Sequence, residues 1–134
     1  ITRGTGKAEI ARAVIESIAY QTRDVIEAMQ TASNQQLQNL RVDGGASVMD
    51  LLLQLQADQL QVPVIRPQSK EITALGAAFL AGLSIGIWTS LSEIAETWKL
   101  DVQMQPETGR QKANQAHARW LQAIERSKSW AISS

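Results

Sequence analysis

Apolar residues recur at spacings of three, four and seven over residues 7–30: Ile10, Val14, Ile18, Val25 and Met29, with Ala13 and Ser17 filling the same stripe. That period belongs to a helix with one buried face. Thr5 or Gly6 can cap it, and Glu9 falls in the first turn, where the helix dipole favours a negative charge. Arg23 and Glu27 stand one turn apart and are expected on the solvent side. Thr31 to Gln38 is polar and aperiodic and reads as a loop. Asn39 to Asp43 alternates as a short strand, with Leu40 and Val42 on one face, and stops at Gly44-Gly45. A helix is expected from Val48 to Gln61, with Val48, Leu51, Leu52 and Leu55 buried. Ser47 would cap it, paired with Asp50 three residues on.

The pattern continues with a strand over Val62 to Arg66, ended by Pro67, in which Pro63 suits only an edge or an early position. Thr73 to Ile85 is a helix apolar nearly all round, which predicts burial on most sides. Ala74, Ala78 and Gly82 form a small-residue stripe on it. Ser90 to Trp98 is a short amphipathic helix capped by Ser90, with Glu93 at its third position. Leu100 to Gln105 fits a short edge strand, and Glu107 to Ser133 a long helix carrying Trp120, Leu121 and Ile124 on one face. Strand, helix, strand implies a parallel, right-handed crossover. The fold class is therefore α/β, a short parallel sheet flanked by helices, with a helical C-terminal extension. Two or three strands are few for so much apolar helix surface, so more sheet is expected in the whole molecule. The isolated piece should self-associate through its strand edge or apolar helix faces.

Composition narrows the function without choosing it. The 134 residues are 44% hydrophobic and 19% charged, the balance of a globular chain with a real core. Thirteen basic and thirteen acidic residues cancel, which argues against nucleic acid or an anionic membrane surface as partner. With no cysteine and one histidine, His117, disulfides, thiolate metal sites and a histidine-rich metal centre are excluded. The longest apolar run, Ile72 to Trp88, is short of the ~20 residues that span a bilayer, and no membrane span is expected. The chain opens Ile1-Thr2-Arg3-Gly4 without an initiator methionine, as a piece of a longer or processed chain would.

Chemistry concentrates in Leu40-Arg41-Val42-Asp43-Gly44-Gly45-Ala46-Ser47. A strand that ends in paired glycines and runs into a helix presents unpaired amide N–H groups at a positive dipole end, an arrangement suited to an anion. Glycine keeps side chains out of the way of a ligand approaching the backbone. Such turns also occur with no ligand at all, and the stretch is neither G-x-G-x-x-G nor a P-loop. Asp43 most simply closes the turn by accepting from backbone N–H groups. His117, between Ala116 and Ala118, reads as a surface or half-buried residue.

Three stretches, in order and in register, resemble the carbohydrate kinases of the glycerol kinase family, which share an actin-like ATPase fold. They are Thr2-Arg3-Gly4 with Ala13 to Val25, Leu40 to Gly45 with Leu53 to Asp58, and Glu71 to Leu83. The run Ala19-Tyr20-Gln21-Thr22-Arg23-Asp24 points within the family to glycerol kinases. The resemblance implies a partial actin-like (ribonuclease H-like) lobe over residues 1–105 and a C-terminal helix, 106–134, packing on it. It implies ATP as cofactor, with Gly44 and Gly45 against the nucleotide. Relatives often carry an asparagine where this chain has Met49, whose thioether would lie against the base. Arg3, Thr5, Glu71 and Thr73 are structural by the same comparison, Thr73 as a helix cap and Gly76 for tight packing.

The resemblance also says what is missing. The catalytic aspartate, the polyol-binding residues and the phosphate loops lie upstream of the matched part, as do the ligands of the Mg2+ that phosphoryl transfer needs. No residue here is expected to be catalytic or metal-binding, and the piece alone is expected to be inactive. The implied whole is a cytoplasmic, homo-oligomeric enzyme that converts glycerol to glycerol 3-phosphate. A pentulose or gluconate kinase of the same family, or a non-catalytic adaptor derived from the fold, remain as alternatives.

Overall fold

The periodic stretch after Gly6 forms α1, Lys7–Ser33, in the computed structural model, which describes residues 1–69 and 71–129. Glu9 Oε2 accepts the Gly6 N–H at 2.8 Å, tying down one N-terminal amide that has no partner in the helix. The helix runs three residues into the stretch expected as a loop and is capped by Asn34, which adopts the left-handed conformation (φ 53°); residues 35–38 are loop, as expected. The period was right, but the face was not. Ile10, Val14, Ile18, Val25 and Met29 are 37–60% exposed, and the only fully buried residue of α1 is Ala19. The side turned to the described elements sets the buried Ala19 and the ring of Tyr20 among the polar Thr22, Arg23 and Asp24.

Most of that polar side is hydrogen-bonded across the interface, while the buried Oε1 of Gln56, whose Nε2 donates to Thr22, has no partner among the described residues. Asp24 takes His117 Nε2 on Oδ1 at 2.6 Å and the Trp120 indole N–H on Oδ2 at 2.9 Å. Tyr20 stacks on Trp120, with ring centroids 5.6 Å apart. Arg23 is not on the solvent side: it bonds Glu27, but also Gln59 of α2 and Asn114 of α5, and its side chain is 11% exposed. His117 is buried (6% exposed) rather than half-exposed. The final helix, α5, is Arg110–Ser127, shorter at both ends than expected, and residues 130–133 of the expected span lie outside the described residues. A carboxylate that accepts from two ring N–H donors thus fastens α5 to α1 where apolar packing alone would leave it free to slide.

The sheet has the order β1-β2-β3, with β1 Leu40–Arg41, β2 Val64–Pro67 and β3 Leu100–Met104. The β1–β2 pair is parallel, the crossover expected from strand, helix, strand. β3 joins antiparallel, so the sheet is mixed. Pro63 sits just before β2, where its carbonyl accepts from Leu40 and its missing N–H costs the ladder nothing. The crossover helix α2, Asp50–Leu60, presses Leu53 and Ala57 onto Val64, with Leu40, Val42 and Met104 around them. Of the stripe expected on α2, Leu52 is buried and Leu55 half-buried, but Val48 and Leu51 are exposed; the rest of the buried side is Leu53, Gln56, Ala57 and Gln59.

The next helix, α3, is Ile72–Ser84, and α4 is Leu91–Glu96, capped by Ser90, whose hydroxyl accepts the Glu93 N–H as expected. The all-round apolar α3 is not buried: Gly82 alone is, and Leu80 is 69% exposed. Nothing among the described residues covers its outer side. Of its small-residue stripe, only Gly82 is used within the chain. The Trp88 ring folds back over it, 2.2 Å from where a Cβ would stand, and packs edge-on against Phe79. A Cβ at Gly76 would meet nothing within 4 Å, so among the described residues nothing packs tightly there. Thr73 caps nothing; Glu71 is the N-cap residue and makes no side-chain capping bond.

Between β3 and α5 the chain is held to the end of α2. Asp58 Oδ1 accepts from the N–H groups of Glu107 (2.7 Å) and Thr108 (2.9 Å), and Gln54 and Gln61 donate to the carbonyls of Gln105 and Thr108. Burial pushes the Asp58 carboxyl up, but the amides of Thr108 and Glu107 outweigh it and hold the carboxyl below its ordinary value. A carboxyl lowered by folding stabilises the fold above its unfolded pKa, about 3.9, and that stability disappears as pH falls through the folded value. Asp58→Asn should therefore lower the melting temperature at neutral pH and flatten its decline below about pH 4. Parallel melting curves for the two proteins from neutral to acid pH would contradict this.

Candidate functional site

The distinctive local structure lies where β1 ends. Gly44 has φ 76° and ψ −176°, a conformation essentially closed to residues with a Cβ. It turns the chain out of the strand and into a 3₁₀ turn, Gly45–Val48, which leads through Met49 into α2. The expected capping box is not formed. Ser47 belongs to the 3₁₀ turn, buried, and donates its hydroxyl to the Gly44 carbonyl at 2.7 Å, while its own N–H bonds the same oxygen at 3.1 Å. Met49 is the N-cap of α2 and gives it no side-chain bond. Asp50, the expected partner of Ser47, pairs with Arg66 at 3.0 Å.

The N–H groups of Gly44, Gly45 and Ala46 donate to no other described residue. Both glycines are exposed, and a Cβ built on either would meet nothing within 4 Å. They open onto a cleft of about 330 Å³ lined by Asp43, Gly44, Gly45, Val48, Glu71, Ile72 and Thr73. The bend is therefore neither plugged nor turned inward. Asp43 accepts no bond from the turn among the described residues, so its carboxylate is free to face the cleft. The cleft combines amide donors, two carboxylate acceptors in Asp43 and Glu71, and the apolar side chains of Val48 and Ile72. Donors suit a phosphate oxygen, carboxylates suit sugar hydroxyls, and the apolar pair suits the face of a ring.

Of the three residues singled out from the sequence, Gly44 and Gly45 are thus brought to one cleft. Met49 is half-buried and does not line it; Val48 does. Glu71 and Thr73, expected to be structural, border the same cleft from the start of α3. Sequence reasoning missed Arg66 altogether. Its partners Asp50 and Asp101 lie 16 and 35 residues away, and no local spacing connects them. A larger cavity, about 510 Å³, opens between α3 and α4 under Phe79, Ile94 and Trp98, with Arg41 stacked over the Trp98 ring at 4.8 Å. Its wall is mainly apolar side chains, and the glycine turn is no part of it. Among the described residues no three His, Cys, Asp or Glu stand close enough to hold a metal ion, and no helix is long and apolar enough to cross a membrane.

Gly44 and Gly45 differ in what they tolerate. Gly44→Ala forces a Cβ into a conformation that costs roughly 1–3 kcal/mol, whereas Gly45→Ala stays within about 0.5 kcal/mol of the parent. Denaturant unfolding of both variants checks the difference, and equal stabilities would mean that the turn does not hold the described conformation.

Comparison with known proteins follows the same outline. Residues 1–85 match the FGGY family of carbohydrate kinases, C-terminal domain. The chain is 51% identical to the glycerol kinase of Deinococcus radiodurans over 97% of its length, and 52% identical to that of Caldanaerobacter subterraneus over 98%. It spans only about a quarter (26%) of either relative. The crystal structure of Plasmodium falciparum glycerol kinase with ADP superposes with a TM-score of 0.86 at 28% identity, covering 98% of this chain and 26% of that one. The mixed sheet and its helices are accordingly part of the actin-like ATPase fold of these sugar kinases. The chain belongs to the FGGY family of carbohydrate kinases and carries its C-terminal domain.

Proposed function

We propose that this chain is the nucleotide-side, C-terminal quarter of an ATP-dependent glycerol kinase. One observation carries the reading: an open glycine bend with three unpartnered amides, in a sequence half identical to glycerol kinases along nearly its whole length. In this reading the backbone at Gly44 and Gly45 lies along the nucleotide. Their N–H groups meet a phosphate oxygen, and Asp43 and Glu71 accept from ribose hydroxyls. The base would lie on the apolar side chains of Val48 and Ile72, since Met49, which the resemblance set against the base, does not line the cleft. The Plasmodium falciparum relative was crystallised with ADP, which supports an adenine nucleotide as the ligand class.

The chain's own residues bind and orient; they do not take a proton or attack. Phosphoryl transfer also needs a base for the polyol hydroxyl and Mg2+ to offset the charge building on the phosphoryl oxygens. Neither the base nor a metal-ligand set is assigned to this chain, and both belong to the rest of the polypeptide. The outward stripe of α1, the bare side of α3 and the free edge of β1 are apolar or hydrogen-bonding surfaces that a preceding lobe would cover. Residues 1–105 then form one part of the ATPase lobe, clasped by α5. The whole enzyme is cytoplasmic and homo-oligomeric in this reading. Identity near one half to glycerol kinases favours glycerol over pentuloses or gluconate.

A coupled assay of the full-length enzyme against glycerol, xylulose and gluconate tests this. Glycerol should be the preferred acceptor by at least about 100-fold in kcat/KM, and the present chain alone should transfer no phosphate. Preference for a sugar acid or ketose, or turnover by the chain alone, would overturn the reading.

A further inference from the structure

We propose that Arg66 is a positioning residue of the nucleotide site, acting through Ser47 to fix the direction of the Gly45 amide; this rests on the reading of the glycine turn given above. The peptide unit between Gly44 and Gly45 sets the direction of the amide. A trans peptide is planar, and its C=O and N–H point in opposite directions. Whatever holds the Gly44 carbonyl therefore aims the Gly45 N–H. Two donors hold it, both from Ser47: the N–H at 3.1 Å and the hydroxyl at 2.7 Å. Ser47 is buried at 4% exposure, so these bonds meet little competition from water.

Ser47 is itself held from behind. Its carbonyl accepts Arg66 Nη1 at 2.7 Å, and the same nitrogen reaches Asp50 Oδ1 at 3.0 Å, at the first residue of α2. Arg66 Nε is anchored on the opposite side by Asp101 Oδ2 of β3 at 2.7 Å. The guanidinium does not line the cleft. It stands behind the turn as a rigid fork between the sheet and the turn, a geometry that a flexible lysine cannot copy. The two carboxylates keep it charged and oriented, and its side chain is only 12% exposed. Gly44, with no Cβ to restrict it, could rotate its following peptide at little cost; the Arg66–Ser47 relay removes that freedom.

The experiment measures KM for ATP and for the polyol in the full-length enzyme carrying Arg66→Gln, Arg66→Lys, Ser47→Ala, Asp50→Asn or Gly45→Val. Melting temperature and amide hydrogen exchange over residues 45–48 are followed in parallel. Gly45→Val reports on the site itself by blocking ligand approach. Arg66→Gln and Ser47→Ala should raise the ATP KM about tenfold, leave the polyol KM unchanged and speed exchange at Gly45 and Ala46. Arg66→Lys should recover only part of the loss. Asp50→Asn, which removes one largely exposed strut, should give a smaller change in the same direction and serves if Arg66→Gln does not fold. If Gly45→Val raises the ATP KM but the Arg66 and Ser47 variants do not, or if they raise both KM values alike, the relay is wrong and the site stands. If Gly45→Val also leaves the ATP KM unchanged, the nucleotide reading of the turn has failed first.

Discussion

At residue 44 the backbone takes a conformation in which a Cβ would collide with its own peptide groups, and the arrangement around the cleft follows from it. With φ at 76°, the chain leaves β1 sharply enough for the next four residues to form a 3₁₀ turn and not a further strand pair. The turn places Ser47 inside, under the Gly44 carbonyl, and leaves the amides of residues 44–46 outside. It also brings the start of α2 over the sheet, so that Leu53 and Ala57 meet Val64. Site and core share one cause: the bend that frees the amides also seats the crossover helix.

The structure is held by two kinds of contact in separate places. Around β1, β2 and α2 the contacts are apolar and tight, and they bury Leu53, Ala57 and Val64 almost completely. Between α1, α2 and α5, beside the buried Ala19 and Ala113 and the Tyr20–Trp120 stack, the contacts are largely polar: Asp24 with His117 and Trp120, Arg23 with Gln59 and Asn114, and Gln56 with Thr22. A polar interface fixes register more strictly than an apolar one, because each displaced donor or acceptor loses a specific partner. The apolar side of α1 is left outward.

The order of the elements was legible in the sequence because period and punctuation are local. The stripe from Ile10 to Met29 marks α1, Gly44-Gly45 marks the turn beyond β1, and Ser90 with Glu93 marks the start of α4, whereas β1 already ends at Arg41 and Pro67, expected to stop β2, is its last paired residue. Which faces are buried was not legible. Hydrophobic period identifies the apolar side of α1 and α3, but not whether the covering surface lies in the same stretch of chain. The role of Ser47 was misread for a related reason. Ser-x-x-Asp before an apolar run suits a capping box, but the glycine conformation turned Ser47 inward and Asp50 toward Arg66. Arg66 itself left no trace, since its partners come from β3, the 3₁₀ turn and α2, which only the fold assembles.

The most direct test of the central claim is a crystal structure of the full-length enzyme with a bound adenine nucleotide. The account predicts the Gly45 N–H within hydrogen-bond distance, about 3 Å, of a nucleotide oxygen, with the Gly44 carbonyl still turned back onto Ser47. A nucleotide bound elsewhere, with the 44–48 turn buried against protein or facing bulk solvent, would contradict it.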